Sequence, residues 1–148
     1  MEQIKNFSLF IVVGIIVNLI IGWLKSDFIS TFLTENLITL LIALVAINTT
    51  TMSVVMTKLK ELTKKQDGKF TRTLKEMKIS IVEQVFLIVI TVFVQIVSSS
   101  KLVQTSLPDL LFFTDIILIG VFSYAIYILY DTANSIFVIL NYEKNEKD

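Results

Sequence analysis

Cysteine and histidine are both absent from this 148-residue chain. Without cysteine there are no disulfides, no thiolate metal ligands and no thiol nucleophiles. Without histidine, the usual general base near neutral pH and the commonest metal ligand are missing. Metal-dependent and Ser-His hydrolysis are disfavoured by this inventory, so the chain reads as a non-enzyme that needs no cofactor and no metal. Charge is scarce as well, at 18% of residues, where soluble domains carry roughly 25%. The 13 basic and 13 acidic side chains cancel, and overall charge predicts no nucleic-acid partner. Proline occurs once, at Pro108, where it is placed to open the last long helix.

What fills the chain instead is apolar. Hydrophobic residues make up 54%. Between Lys5 and Lys25 lie 19 residues without a charge, and between Glu35 and Lys58 another 22. Two further apolar blocks cover Ile81 to Val97 and Leu110 to Tyr130. Crossing the hydrocarbon core of a bilayer takes about 20 apolar residues in a helix. The four blocks predict an all-α, polytopic integral membrane protein, one membrane domain over 1–148 with four transmembrane helices in an up-down bundle. Expected helices run over about 7–24, 36–66, 69–98 and 109–130, followed by an interfacial extension over 131–142. Phe7 to Leu24 exceeds the ~7–15 apolar residues of a signal peptide, and no small-x-small pair follows it, so it reads as a retained helix.

The basic residues orient the bundle. Lys5, Lys144 and Lys147 flank the termini, and Lys58, Lys60, Lys64, Lys65, Lys69, Arg72, Lys75 and Lys78 crowd the middle loop. Only Lys25 and Lys101 fall on the other side. The positive-inside bias predicts cytoplasmic N- and C-termini and a cytoplasmic middle loop. That loop is patterned. Val55, Leu59 and Leu62 recur at helical spacing, Asp67-Gly68 signals a turn, and Phe70, Leu74, Met77 and Ile81 repeat on one face. The pattern predicts a cytoplasmic helical hairpin over about 57–80. Its basic residues have two readings: contact with anionic headgroups at the cytoplasmic side, or a docking site for a soluble cytoplasmic protein. On the opposite side, Asp27 to Glu35 reads as an interfacial turn and Ser98 to Pro108 as a loop.

Candidate intramembrane polar groups are Asn18, Asn48, Glu83, Gln95, Asp115 and Asp131. The three acids have two readings: wetting at the membrane edges, which their depth favours, and an ion or proton role. By depth the polar groups sort into two layers. Asn18, Gln95 and Asp115 form an outer one, and Asn48, Thr51, Glu83, Gln84 and Asp131 an inner one, with apolar residues between. Such layers suit interhelical hydrogen bonding and do not make a continuous hydrophilic path. Helix packing is expected at Gly14 and Gly22, which with Asn18 form a stripe at i, i+4, i+8, and at Gly120 on the last helix, in line with Tyr124, Tyr127 and Asp131.

These features predict a small membrane subunit (scaffold, sensor or anchor) in a bacterial cytoplasmic membrane, forming homo-oligomers and holding a cytoplasmic partner. In size and layout the chain resembles small four-helix membrane proteins of bacterial phage-defence pairs and bacteriocin-immunity systems. That likeness rests on span count and topology and implies a defence or immunity setting. The alternative is a homo-oligomeric pore or membrane-disrupting effector with Asp115 and Asp131 at its mouths. A small-solute transporter ranks below both, because no inverted repeat or pair of broken helices is present.

Overall fold

The computed structural model describes residues 2–63, 71–106 and 109–145. Five α-helices follow one another: α1 (Glu2–Leu24), α2 (Phe28–Thr63), α3 (Thr71–Ser99), α4 (Lys101–Ser106) and α5 (Asp109–Asn145), with no strand among the described residues. Four are long and apolar enough to cross a membrane, over Phe7–Leu24, Phe28–Thr57, Lys75–Ser99 and Leu110–Asn134. With 36 residues in α2 and 37 in α5, each of these two helices extends roughly 55 Å, well beyond a ~30 Å hydrocarbon core.

The connection from α1 to α2 is tighter than the sequence suggests. Residues 28–35 are the first two turns of α2, where an interfacial turn was expected, and α2 therefore starts at Phe28 instead of about residue 36. Lys25 ends α1 with a positive φ of 51°. Its N–H donates to the Gly22 carbonyl at 3.3 Å, and the Ser26 N–H donates to the Ile21 carbonyl at 3.2 Å. This pair of bonds is a Schellman ending with lysine at the position glycine favours. Asp27 then starts α2, its carbonyl accepting from the Thr31 N–H at 3.0 Å. No glycine or proline follows until Gly68, so nothing stops the helix from forming at once.

The second expected loop, 98–108, holds the short helix α4. The Ser100 carbonyl accepts from Val103 at 3.0 Å and Gln104 at 3.1 Å, and Gln104 Nε2 donates to the Ser98 carbonyl at 3.1 Å. α5 is continuous from Asp109 to Asn145, so the span expected over 109–130 and the extension over 131–142 are one helix. Around the middle loop, α2 ends at Thr63 and α3 begins at Thr71. The Asp67-Gly68 turn, Lys64, Lys65, Lys69 and Pro108 lie outside the described residues, as do the helix ends expected at 66 and 69.

Three helices form the central seam of the core, and Ile21 of α1 joins the same buried cluster. Along α3 the inward positions are Met77, Ser80, Gln84, Leu87, Thr91, Val94 and Ser98, all buried or half-buried. On α2 they are Leu37, Leu41, Leu44, Asn48, Thr51 and Val55, and on α5 Thr114, Leu118, Val121, Ala125, Ile128 and Thr132. All three rows alternate steps of three and four, the spacing of a left-handed coiled-coil seam. Two contacts set the register. The Ser80 and Thr132 hydroxyls lie 3.4 Å apart, and Gln95 Nε2 donates to the Thr34 carbonyl at 2.8 Å. From the first contact the register matches Gln84 to Ile128, Leu87 to Ala125, Thr91 to Val121 and Val94 to Leu118. On α2, Thr51, Asn48, Leu44, Leu41 and Leu37 follow in the same order, making layers of three side chains.

α1 sits outside this trio, against α5. Gly14 makes the crossing possible: a Cβ there would lie 2.4 Å from the Ile116 carbonyl oxygen and 3.2 Å from the Gly120 nitrogen. Gly120 is close but less tight: a Cβ there would lie 3.1 Å from the Phe10 carbonyl oxygen. Toward the start of α1, the Phe10 ring lies 5.4 Å from that of Tyr124 and 5.3 Å from that of Tyr127. These contacts run in opposite directions along the two helices, so α1 and α5 are antiparallel. With α1 on one side and α2 and α3 on the other, α5 is the hub. Half of its span is buried, against 17–22% for the other three.

Candidate functional site

The surface that faces outward is Leu, Ile, Val and Phe: Ile16, Leu19, Phe86, Phe93 and Ile96 are all more than half exposed. Hydroxyls on this surface are satisfied locally. Thr49, Thr50, Ser53 and Thr57 each donate to the carbonyl four residues earlier, at 2.8–3.0 Å. Such back-bonding lets a polar side chain face lipid without an orphan donor. It separates Thr49 and Thr50, which point out, from Asn48 and Thr51, which point into the seam.

Near the α1–α2 turn, three interhelical polar contacts tie helix pairs together. Ser30 Oγ donates to Asp115 Oδ2 at 3.1 Å, joining α2 to α5. Gln95 joins α3 to α2 through the Thr34 carbonyl. Asn18 Nδ2 donates to the Phe112 carbonyl at 3.4 Å, joining α1 to α5. Asn18, Gln95 and Asp115 thus serve three different interfaces and do not converge on one point. A groove of about 520 Å³ opens at this end between Thr34 and Ile38 on one side and Val92 and Gln95 on the other.

Toward the other end the polar side chains do converge. Gln84 and Asn48 are 1% and 2% exposed, and register sets them in one layer of the seam. Neither the carbonyl nor the amino group of either amide has a hydrogen-bond partner among the described residues. The next layer is Thr51, Ser80 and Thr132. Beside it, on the α1-facing side of α5, the Tyr124 hydroxyl donates to Glu83 Oε2 at 3.2 Å. Glu83 also borders a groove of about 490 Å³ with Lys75, Lys78, Val82 and Phe86. Asp131, grouped with this layer from its depth, is exposed on α5. Ser80 and Thr132 are members that depth and charge did not single out. Their signal was the three-four spacing that they share with Gln84 and Ile128.

Of the expected packing glycines, Gly14 and Gly120 lie in the α1–α5 crossing, while Gly22 has nothing within 4 Å. Of the basic residues, Lys75 and Lys78 are exposed on the first turns of α3. Lys58 and Lys60 lie on α2 and Arg72 on α3, within described helix. No cluster of three or more His, Cys, Asp or Glu side chains able to hold a metal occurs among the described residues. The chemistry this arrangement offers is hydrogen bonding inside an apolar bundle and positive charge on its helical extensions. Comparison with protein-family models, with curated proteins and with solved structures returns no match.

Proposed function

We propose that the chain is a non-catalytic integral membrane subunit that associates with further copies and holds a soluble partner at the cytoplasmic face. In this reading the helices alternate in direction, both termini and the connection between α2 and α3 lie in the cytoplasm, and the membrane is the cytoplasmic membrane of a bacterium. One observation carries it. α2 is 36 residues long, so at 1.5 Å per residue it runs on the order of 20 Å past a ~30 Å core, toward the segment where Lys58 to Lys78 supply eight basic residues. The same cluster also suits anionic headgroups, which attract basic residues beside a membrane helix. A helical extension of that length, with Lys75 and Lys78 exposed at the start of α3, presents a surface for an acidic protein.

The packed core weighs against conduction through one copy. Leu44, Leu87 and Ala125, then Leu41, Thr91 and Val121, then Leu37, Val94 and Leu118 fill the three helices layer on layer. A water path would have to form between copies. The test is purification from native membranes of the wild type and of a variant with Lys64, Lys65, Lys69, Arg72, Lys75 and Lys78 all changed to Glu. The expected result is a stoichiometric partner and several copies per particle with the wild type, and loss of the partner with unchanged insertion in the variant. A partner retained by the variant would overturn the docking site, and a monomer alone would overturn the subunit reading.

A further inference from the structure

The two amides in the seam call for a ligand. A buried amide without a hydrogen bond is costly when its surroundings can offer none, and lipid around the bundle offers none. Asn48 and Gln84 bring two carbonyl oxygens and two amino groups to one layer, all four without partners among the described residues. A cation would serve the oxygens and be repelled by the amino groups, and an anion the reverse. Only a neutral species that both donates and accepts hydrogen bonds matches the set. Asn48 occupies the seam position that Leu41 and Leu44 fill in the layers above.

We propose that the Asn48–Gln84 layer, together with the Thr51, Ser80 and Thr132 hydroxyls beneath it, is an internal binding site for water. Water is the smallest ligand of the required kind, and buried waters make about three hydrogen bonds to groups otherwise left unsatisfied. The hydroxyls extend the site. Thr132 Oγ1 donates to the Ile128 carbonyl at 2.9 Å, which leaves its lone pairs to accept, and Ser80 Oγ lies beside it. The site is closed along the seam in both directions. Val55 and Met77, 4% and 5% exposed, bound it on one side. Leu87 and Ala125, 2% and 0% exposed, bound it on the other. It is a compartment of two polar layers in one half of the bundle, and not a segment of a channel.

The experiment is water-edited solid-state NMR on the full chain in phospholipid bilayers, with side-chain amides labelled with nitrogen-15. Water magnetisation is expected to reach the Asn48 and Gln84 amino groups several-fold faster than the backbone amides of Leu44 and Ala125, and at a rate approaching that of exposed Gln104. Transfer as slow as in the apolar layers would overturn the site and leave direct amide–amide pairing. A second arm uses Asn48→Leu combined with Gln84→Leu. The double change is expected to abolish fast transfer to labelled Thr51 and Thr132. Persistence of that transfer would show that the water belongs to the hydroxyls alone, and would overturn the role given to the amides.

Discussion

Replacing Gly14 by alanine should lift α1 off the bundle while leaving the other three spans in place. The added methyl would lie 2.4 Å from the Ile116 carbonyl oxygen, so α1 must retreat by about 1 Å to restore an ordinary contact. The obstacle is backbone, which cannot rotate aside. The upper part of the ~1–3 kcal/mol cost of overpacking therefore applies. Alanine returns about 1 kcal/mol through its better helix propensity, for a net loss near 2 kcal/mol. The retreat also stretches the Asn18–Phe112 bond, already 3.4 Å long, and opens the Phe10 contacts with Tyr124 and Tyr127. Gly22→Ala is the control, because nothing lies within 4 Å of that position. It should gain up to about 1 kcal/mol from propensity alone. The lack of cysteine makes the assay clean: spin labels at Leu9→Cys and Ile126→Cys, both exposed, report the α1–α5 separation, and denaturant titration reports stability. Equal stability and equal separation in the two alanine variants would refute the close crossing.

Two further outcomes follow from local geometry. Lys25→Gly should raise stability by up to about 1 kcal/mol, because the left-handed conformation costs a side-chain-bearing residue on the order of 1–2 kcal/mol and the position has φ 51°; an unchanged denaturation midpoint would contradict the Schellman ending. Ser30→Ala removes the donor to Asp115 at 3.1 Å and should cost about 0.6 kcal/mol, the average for an interhelical hydrogen bond in a membrane, with about 1.7 kcal/mol as the upper limit, measured in the same titration.

The four spans were legible because a charge-free run of about 20 residues has few other uses. The arrangement of those spans was not. In water, hydrophobic periodicity separates the buried face of a helix from the solvated one. In lipid both faces are apolar, so Phe86 and Phe93 on the outside look like Leu87 and Val94 on the inside. The distinguishing residues are small or polar: Ser80, Gln84 and Thr91 mark the inner face of α3 as surely as Leu87 does. Depth along the span found Asn48, Thr51 and Gln84, yet it also gathered Asp131, which lies on the exposed side of α5. Rotation about the helix axis, and not depth, decided membership. The early start of α2 was hidden by the charges of Asp27 and Glu35, which sit comfortably at the first turns of a helix near a membrane edge. The hub role of α5 had one sequence sign, Gly120, whose partner Gly14 lies on a helix far away in sequence.

Side-specific labelling of single cysteines tests the proposed topology most directly. Lys75→Cys, near the start of α3, and Lys101→Cys, at the start of α4 just past the far end of α3, place one thiol each at exposed positions in a background without other thiols. In right-side-out membrane vesicles, an impermeant maleimide should label position 101 at once and position 75 only after permeabilisation. Labelling of position 75 in sealed vesicles, or of both positions from the same side, would contradict a cytoplasmic basic face and the partner surface built on it.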